Sequence, residues 1–400
     1  MNSLRIIYYS PHPTHDIVST VGYSVHQRET INAFRKLGHN VLPIIMGGMD
    51  EKKVALKTDE LYKKASSLSK IKKILPLSIW NALKDIQLLF HDRKAGKILE
   101  KAILEFKPDL IYERGEYLQD SGVKVAKRYK IKHVLEVNSP VVEEMAAFEG
   151  PDLFRFLGHY KEKRKLRDTT QVITVSTALK NFLREYYNCD KNILVTPNAI
   201  NPDKDLPEDI AVNEIKKEIA PHAKIVGFVG SILPYHGVDK LIEAFSRVVK
   251  TQSNIHLLIV GEGAIRQSME ELATKLLPAH SFTFAGKIPH SEVMNYIKAF
   301  DIAVMASSNW YGSPVKIFEY GWMGVPIIAP DNIPLRDVME NEKDGLLVSD
   351  NIIELEMAIL YMVNNIDESK LMGERFQYKV KQDYTWDAQT KRILESLIFL

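Results

Sequence analysis

The amino-acid sequence predicts an α/β protein of two doubly wound domains facing a deep interdomain cleft, on three observations. Short apolar runs alternate with amphipathic stretches of helical spacing, the pattern of a parallel sheet flanked by helices. The alternation breaks in a polar stretch rich in Pro and Asp, then starts again. And 400 residues exceed what one ordinary hydrophobic core organises.

In the first half the strand candidates are Arg5–Tyr9, Val41–Ile45, Leu110–Glu113, His133–Val137, Val172–Val175 and Ile193–Thr196. Continuous apolar runs of this length suit strands buried on both faces. Between the first two lies a helix with Val25, Ile31, Phe34 and Leu37 inward, ended by Gly38. The stretch Asn198–Ala223, with Pro202, Asp203, Asp205, Pro207 and Asp209, reads as the linker. Ile225–Val229 then opens a second sheet. A helix with Leu241, Ile242, Phe245, Val248 and Val249 at three- to four-residue spacing follows it. Further strands are expected at His256–Val260, Phe282–Ala285, Ile302–Met305 and Pro326–Ala329. The expected division is residues 1–200 and 201–383, with a terminal helix at about 384–400 able to pack back on the first domain.

The composition is that of a globular protein, 45% hydrophobic and 26% charged, and a net charge of +2 carries no nucleic-acid signature. Cys189 is the only cysteine, which excludes an intrachain disulfide and a cysteine-based zinc site. The apolar run Ile6–Tyr9 is too brief for a signal peptide, and no uncharged stretch approaches the ~20 residues that span a bilayer. A cytoplasmic protein is expected. Residues 51–107 hold fourteen Lys or Arg against seven Asp or Glu, interleaved with Ile71, Ile74, Leu75, Leu77, Ile79 and Trp80. Such a stretch is either a solvated helical face or a peripheral contact with the inner face of a membrane.

Loops beyond the carboxyl ends of the strands carry the function of doubly wound sheets. In the second half, Ser313-Pro314-Val315-Lys316 opens a helix whose N-terminal N–H groups suit a diphosphate. Lys316, in its first turn, adds charge, and Glu319 follows about one turn later. A lone Glu on a helix is usually a solvated surface residue; its neighbours give this one weight. In the first half, His12, His15, Gly22, Ser24 and His26 cluster after the first strand. Their spacing demands no metal, since no i, i+4 pair has a third ligand evident, and loop histidines that bond backbone are the bland alternative. Glu136, Asn138, Glu143 and Glu144 follow a later strand, and Glu113 with Arg114 reads as a structural ion pair.

The run Ser313-Pro314-x-Lys316-x-x-Glu319-Tyr320 resembles the signature of family 4 glycosyltransferases with the GT-B fold, two Rossmann-like domains. The resemblance spans nearly the whole chain. It takes in Gly230-Ser231 with His236-Gly237, Gly261-Glu262-Gly263, Gly286-Lys287-Ile288-Pro289, Pro197-Asn198-Ala199-Ile200 and Asp344-Gly345-Leu346-Leu347-Val348. Tyr384-Thr385-Trp386 and Glu136-Val137-Asn138-Ser139-Pro140 complete it.

By this resemblance the second domain binds a UDP- or GDP-sugar donor and the first an acceptor. Gly230, Ser231, His236, Ser313, Val315 and Lys316 would approach the diphosphate, Lys287 and Ile288 the base, and Glu319 the ribose. Gly22, Ser24, His26, Glu136 and Glu144 would face the acceptor, with Asn138, His26 and Lys316 nearest the chemistry. The implied reaction is retaining transfer to a hydroxyl of a glycan, lipid-linked or small-molecule acceptor, with no metal or other cofactor.

Two departures bear on this. Tyr311 stands where the family commonly has a Glu that contacts the donor sugar, and Ser231 and His236 stand where many members carry cations. Two rivals keep the fold: a sugar-nucleotide epimerase, and a nucleotide-sugar-binding protein without transferase activity. A dinucleotide oxidoreductase is disfavoured, because Tyr9 leads into Ser-Pro-His-Pro rather than a Gly-x-Gly-x-x-Gly turn.

Overall fold

A computed structural model describes residues 3–19, 21–50, 75–201, 207 and 209–397. The chain forms two compact units, Met1–Thr196 with Thr390–Leu400, and Pro197–Gln389.

The first unit holds a six-stranded parallel sheet of order β2-β1-β3-β4-β5-β6. Its strands are β1 (Arg5–Ser10), β2 (Asn40–Ile45), β3 (Leu110–Arg114), β4 (Lys132–Val137), β5 (Gln171–Thr174) and β6 (Ile193–Val195). Ile6 to Tyr9 of β1 are fully buried, as continuous apolar runs require when helices cover both faces. The chain leaves β1 toward β2 on one side and returns to β3 on the other, so the order reverses between β1 and β3.

Helix α1 (Gly22–Lys36) joins β1 to β2 and ends at Gly38, whose φ of +87° suits glycine. Its inward face is Ser24, Gln27, Thr30, Ile31, Ala33 and Phe34. Val25 is only half-buried and Leu37 is exposed, which corrects the expected inward set. The buried Ser24, Gln27 and Thr30 made the apolar stripe hard to phase from sequence.

Residues 51–74 of the basic stretch lie outside the described residues. The rest forms α2 (Leu77–Phe106), thirty residues with Asn81, Asp85 and Asp92 buried, and Phe90 and Leu104 exposed. Among the described residues, no helix is long and apolar enough to cross a membrane. Helices α3 (Ser121–Tyr129), α4 (Val141–Glu149), α5 (Arg155–Asp168) and α6 (Thr177–Tyr187) complete this unit's crossovers.

The second unit begins before the predicted linker ends. Residues expected as linker instead form α7 (Asp209–Ile219), with Val212 buried on it and Ala220 buried just past its end. The sheet order is β12-β11-β10-β7-β8-β9, again all parallel. Its strands are β7 (Lys224–Val229), β8 (Ile255–Val260), β9 (Phe282–Gly286), β10 (Ile302–Val304), β11 (Ile327–Pro330) and β12 (Leu346–Val348). The three-residue β12 was legible only as part of a motif. Helices α8 (Val238–Val248), α9 (Arg266–Leu276) and α10 (Val293–Ala299) follow β7, β8 and β9, and α8 turns Leu241, Ile242, Phe245 and Val248 fully inward. Burial of each such side chain stabilises the fold by about 1.5–3 kcal/mol. Here the strand order reverses between β7 and β10, the position where doubly wound sheets bind ligands.

Candidate active site

In the second unit, the loops after β7, β8 and β9 interlock through three glycines at positive φ: Gly230 (+145°), Gly261 (+141°) and Gly286 (+73°). The Gly230 N–H donates to Val260 O at 3.0 Å, and the Gly261 N–H to Gly286 O at 2.9 Å. A Cβ on Gly261 would stand 2.0 Å from Gly230 O, so only bare backbone packs here. Ser231 leads into a tight turn, Pro234–His236, in which His236 Nδ1 donates to Ser231 O. Burial and the nearby Lys316 lower the His236 pKa to about 4. At neutral pH this ring is uncharged and its one N–H is already committed.

Across the β7/β10 switch, Pro314 caps α11 (Val315–Met323). Val315 and Lys316 open it, and Glu319 lies one turn on, half-buried. The Lys316 amine sits 4.4 Å from the centre of the Phe228 ring and 2.7 Å from where a Cβ of Gly230 would be. The residue is half-buried, but its Nζ is shielded from solvent and has no hydrogen-bond partner among the described residues. Burial lowers its pKa to about 7, against a weaker upward pull from Glu319. An ammonium left unpaired in this way is costly unless an anion joins it.

The fully buried Tyr320 ties α11 to the strand end: its hydroxyl accepts from Val229 N at 2.9 Å and contacts Val229 O at 3.4 Å. Ser313 is buried, with its Oγ accepting from Asn198 N at 3.0 Å and its carbonyl from Asn198 Nδ2 at 2.6 Å. It anchors the loop. Lys287 is exposed after β9, while Ile288 packs on the core.

In the first unit, the carboxyl ends of β1, β3 and β4 carry a connected polar chain. His15 Nδ1 is 2.7 Å from Glu116 Oε1, and Arg114 Nε is 3.3 Å from the same oxygen. Arg114 Nη1 reaches Glu136 Oε1 at 3.3 Å, and His26 Nε2 reaches that oxygen at 2.9 Å. Tyr112 Oη donates to Glu136 Oε2 at 2.6 Å, and Asn138 Nδ2 donates to Oε1. Burial alone would raise the Glu136 pKa, but His26, Arg114 and Tyr112 outweigh it and hold it down to about 2. Glu116 is likewise held at about 2, because His15, His12 and Arg114 overcome its burial.

Several sequence expectations need correction. Ser24 is fully buried, donating to Asp16 O and paired with Ser19 Oγ, each at 2.7 Å, so it fixes a loop and faces no acceptor. Glu136, expected to face the acceptor, is only 2% exposed and is engaged by four side chains, Tyr112, Asn138, His26 and Arg114. Gly22 is exposed at the start of α1, and a Cβ there would meet nothing within 4 Å. Glu113 and Arg114 do not pair. Glu113 bonds His133 Nε2 at 2.8 Å, and Arg114 serves the other two carboxylates. Glu144 is half-buried on α4, while its neighbour Glu143 accepts from Tyr187 Oη at 3.3 Å. Tyr112, Glu116 and Tyr320 were missed as contributors. The partners of all three lie far away in sequence.

Both sequence families that match the chain concern one chemistry. "Glycosyltransferase Family 4" matches residues 21–204, and "Glycosyl transferases group 1" matches residues 209–378. The chain is a glycosyltransferase. The match over residues 21–204 supports the family 4 type, and the two parallel sheets are those of the GT-B fold. An uncharacterized glycosyltransferase of Methanocaldococcus jannaschii is 26% identical over 302 residues, covering 72% of this chain and 76% of that protein. A GDP-mannose-dependent alpha-(1-6)-phosphatidylinositol monomannoside mannosyltransferase of Mycobacterium tuberculosis is 22% identical over 243 residues, covering 58% and 63%. In fold, sucrose-phosphate synthase from Thermosynechococcus elongatus superposes with a TM-score of 0.72 at 17% identity, covering 100% and 99%. Anabaena HepE in complex with UDP gives 0.72 at 14% identity, covering 99% and 100%.

Proposed function

We propose that the protein transfers a glycosyl unit, with retention, from a UDP- or GDP-sugar to an acceptor hydroxyl in envelope or other glycan biosynthesis. The observation that carries this reading is the unpaired Lys316 amine beside the bare Gly230 turn. A diphosphate placed there supplies the missing partner and receives the dipole of α11. Charge growing on the leaving diphosphate meets a group already in position, the main demand of glycosyl transfer. Glu319 then takes the ribose, and main-chain groups near Lys287 and Ile288 take the base. A front-face attack, in which the departing phosphate accepts the hydroxyl proton, needs no metal and no dedicated base. His26 and Asn138 orient the acceptor, the amide oxygen of Asn138 accepting while its NH2 is held by Glu136.

HepE is described with UDP and with UDP-glucose, and the mycobacterial relative uses GDP-mannose, so both bases belong in the test. The acceptor is proposed to carry a lipid. Leu77, Phe148, Leu153 and Phe156 are exposed at the start of α2, the end of α4 and the segment after it, and Asn81 Nδ2 joins these elements by donating to Glu149 O (2.8 Å) and Pro151 O (3.0 Å). The excess of Lys and Arg over residues 51–107 is the second support for this reading. Peripheral contact with an anionic bilayer follows, and liposome flotation at low and high salt tests it.

Thermal-shift titration with UDP, GDP and their sugars tests the donor claim, since a ligand of the folded state raises its stability with concentration. NMR of the product's anomeric carbon tests retention. Absence of any nucleotide effect, or an inverted product, overturns the reading. Conversion of the donor without acceptor would mark an epimerase instead.

A further inference from the structure

The spacing of His12 and His15 offers no third ligand, but the fold supplies one a hundred residues away in sequence. We propose that His12, His15 and Glu116 form a binding site for a divalent cation of the zinc class, wholly within the first unit at its β1/β3 switch. One ligand atom from each residue lies within 4.8 Å of the other two. Bonds of about 2.0–2.2 Å at tetrahedral angles set ligand atoms about 3.4 Å apart, so a small inward adjustment closes the set. Two imidazoles and a carboxylate suit zinc or a similar N/O-preferring ion and leave a fourth position open.

The surroundings are those of a held site. The Thr14 N–H donates to His12 Nδ1 at 3.3 Å and Thr14 Oγ1 lies 3.0 Å from the same nitrogen, so the ring is fixed from its Nδ1 side. His15 stacks between His12 (4.0 Å) and Tyr23 (4.3 Å). Its main chain lies so close to Gly47 that a Cβ there would be 2.1 Å from its carbonyl. Arg114 steadies Glu116 at 3.3 Å while also serving Glu136. Two carboxylates thus share one guanidinium, and the cluster is one permanent positive charge short. A cation at the open end of the chain supplies it. Glu116 is buried, while both histidines are half-buried and reachable.

This assignment is independent of the transferase reading. Chelator-treated full-length protein, titrated with Zn²⁺ by calorimetry and with Co²⁺ by visible absorption, tests it. One equivalent should bind at micromolar Kd or tighter, with the intense bands of four-coordinate Co²⁺. His12→Gln and Glu116→Gln should each weaken binding at least ~10-fold, while His222→Gln, at an exposed surface histidine, should change nothing. Circular dichroism checks folding. Should Glu116→Gln misfold, the partly exposed His12→Gln decides. No binding by the unaltered protein, or equal binding by all variants, overturns the site and leaves the His15–Glu116 hydrogen bond as a structural pair.

Discussion

The Lys316 amine stands 2.7 Å from the position a Cβ on Gly230 would occupy, so the lysine and the turn define one small space between them. His236, the other nitrogen base nearby, is neutral and has spent its N–H on Ser231 O. Lys316→Ala should therefore weaken nucleoside diphosphate binding by about 10- to 100-fold, the range of a hydrogen bond to a charged group. His236→Ala should cost less. Calorimetric titration giving the reverse order would remove Lys316 from the phosphate site.

The pH dependence follows from the same amine. Its folded pKa of about 7 lies below the ordinary 10.5, so between those values the unfolded chain holds a proton that the folded chain lacks. Through this group, stability of the ligand-free protein rises with pH across that window. A bound diphosphate favours the charged amine and reverses the preference. At about pH 8, binding should take up close to one proton and should weaken as pH rises further. Calorimetry in two buffers of different ionisation enthalpy measures the uptake, and Lys316→Met should abolish it.

Two glycines predicted for the site should behave oppositely. Gly230→Ala meets both a φ of +145° and the Lys316 amine, and should lower stability by about 1–3 kcal/mol with a large loss of nucleotide affinity. Gly22→Ala enters open space at a helix start and should be neutral or slightly stabilising, by under about 1 kcal/mol. Thermal melts with and without UDP or GDP compare them.

Glu136→Gln separates orientation from binding. The amide keeps the shape but loses the charge that holds His26 and Arg114. We expect kcat to fall at least ~10-fold with nucleotide affinity unchanged. An equal loss in both would place Glu136 in the overall stability of the chain instead.

The sequence alone determined the two parallel sheets, because strands buried on both faces must be continuously apolar, as in β1 and β8. It also determined the α11 motif, where Lys316, Glu319 and Tyr320 are neighbours on one helix and local spacing places them. It hid α7, whose polar start reads as linker, and it misassigned Ser24, whose hydroxyl resembles a ligand until its partners Asp16 and Ser19 are seen. Only the tertiary structure decided that Glu136 is buried against His26, Tyr112 and Arg114, that Arg114 bridges two carboxylates, and that Glu116 meets His15. Arg114 and Glu136 are 22 positions apart and His15 and Glu116 are 101 apart, and the parallel register of β1, β3 and β4, rather than any local pattern, brings them to one edge.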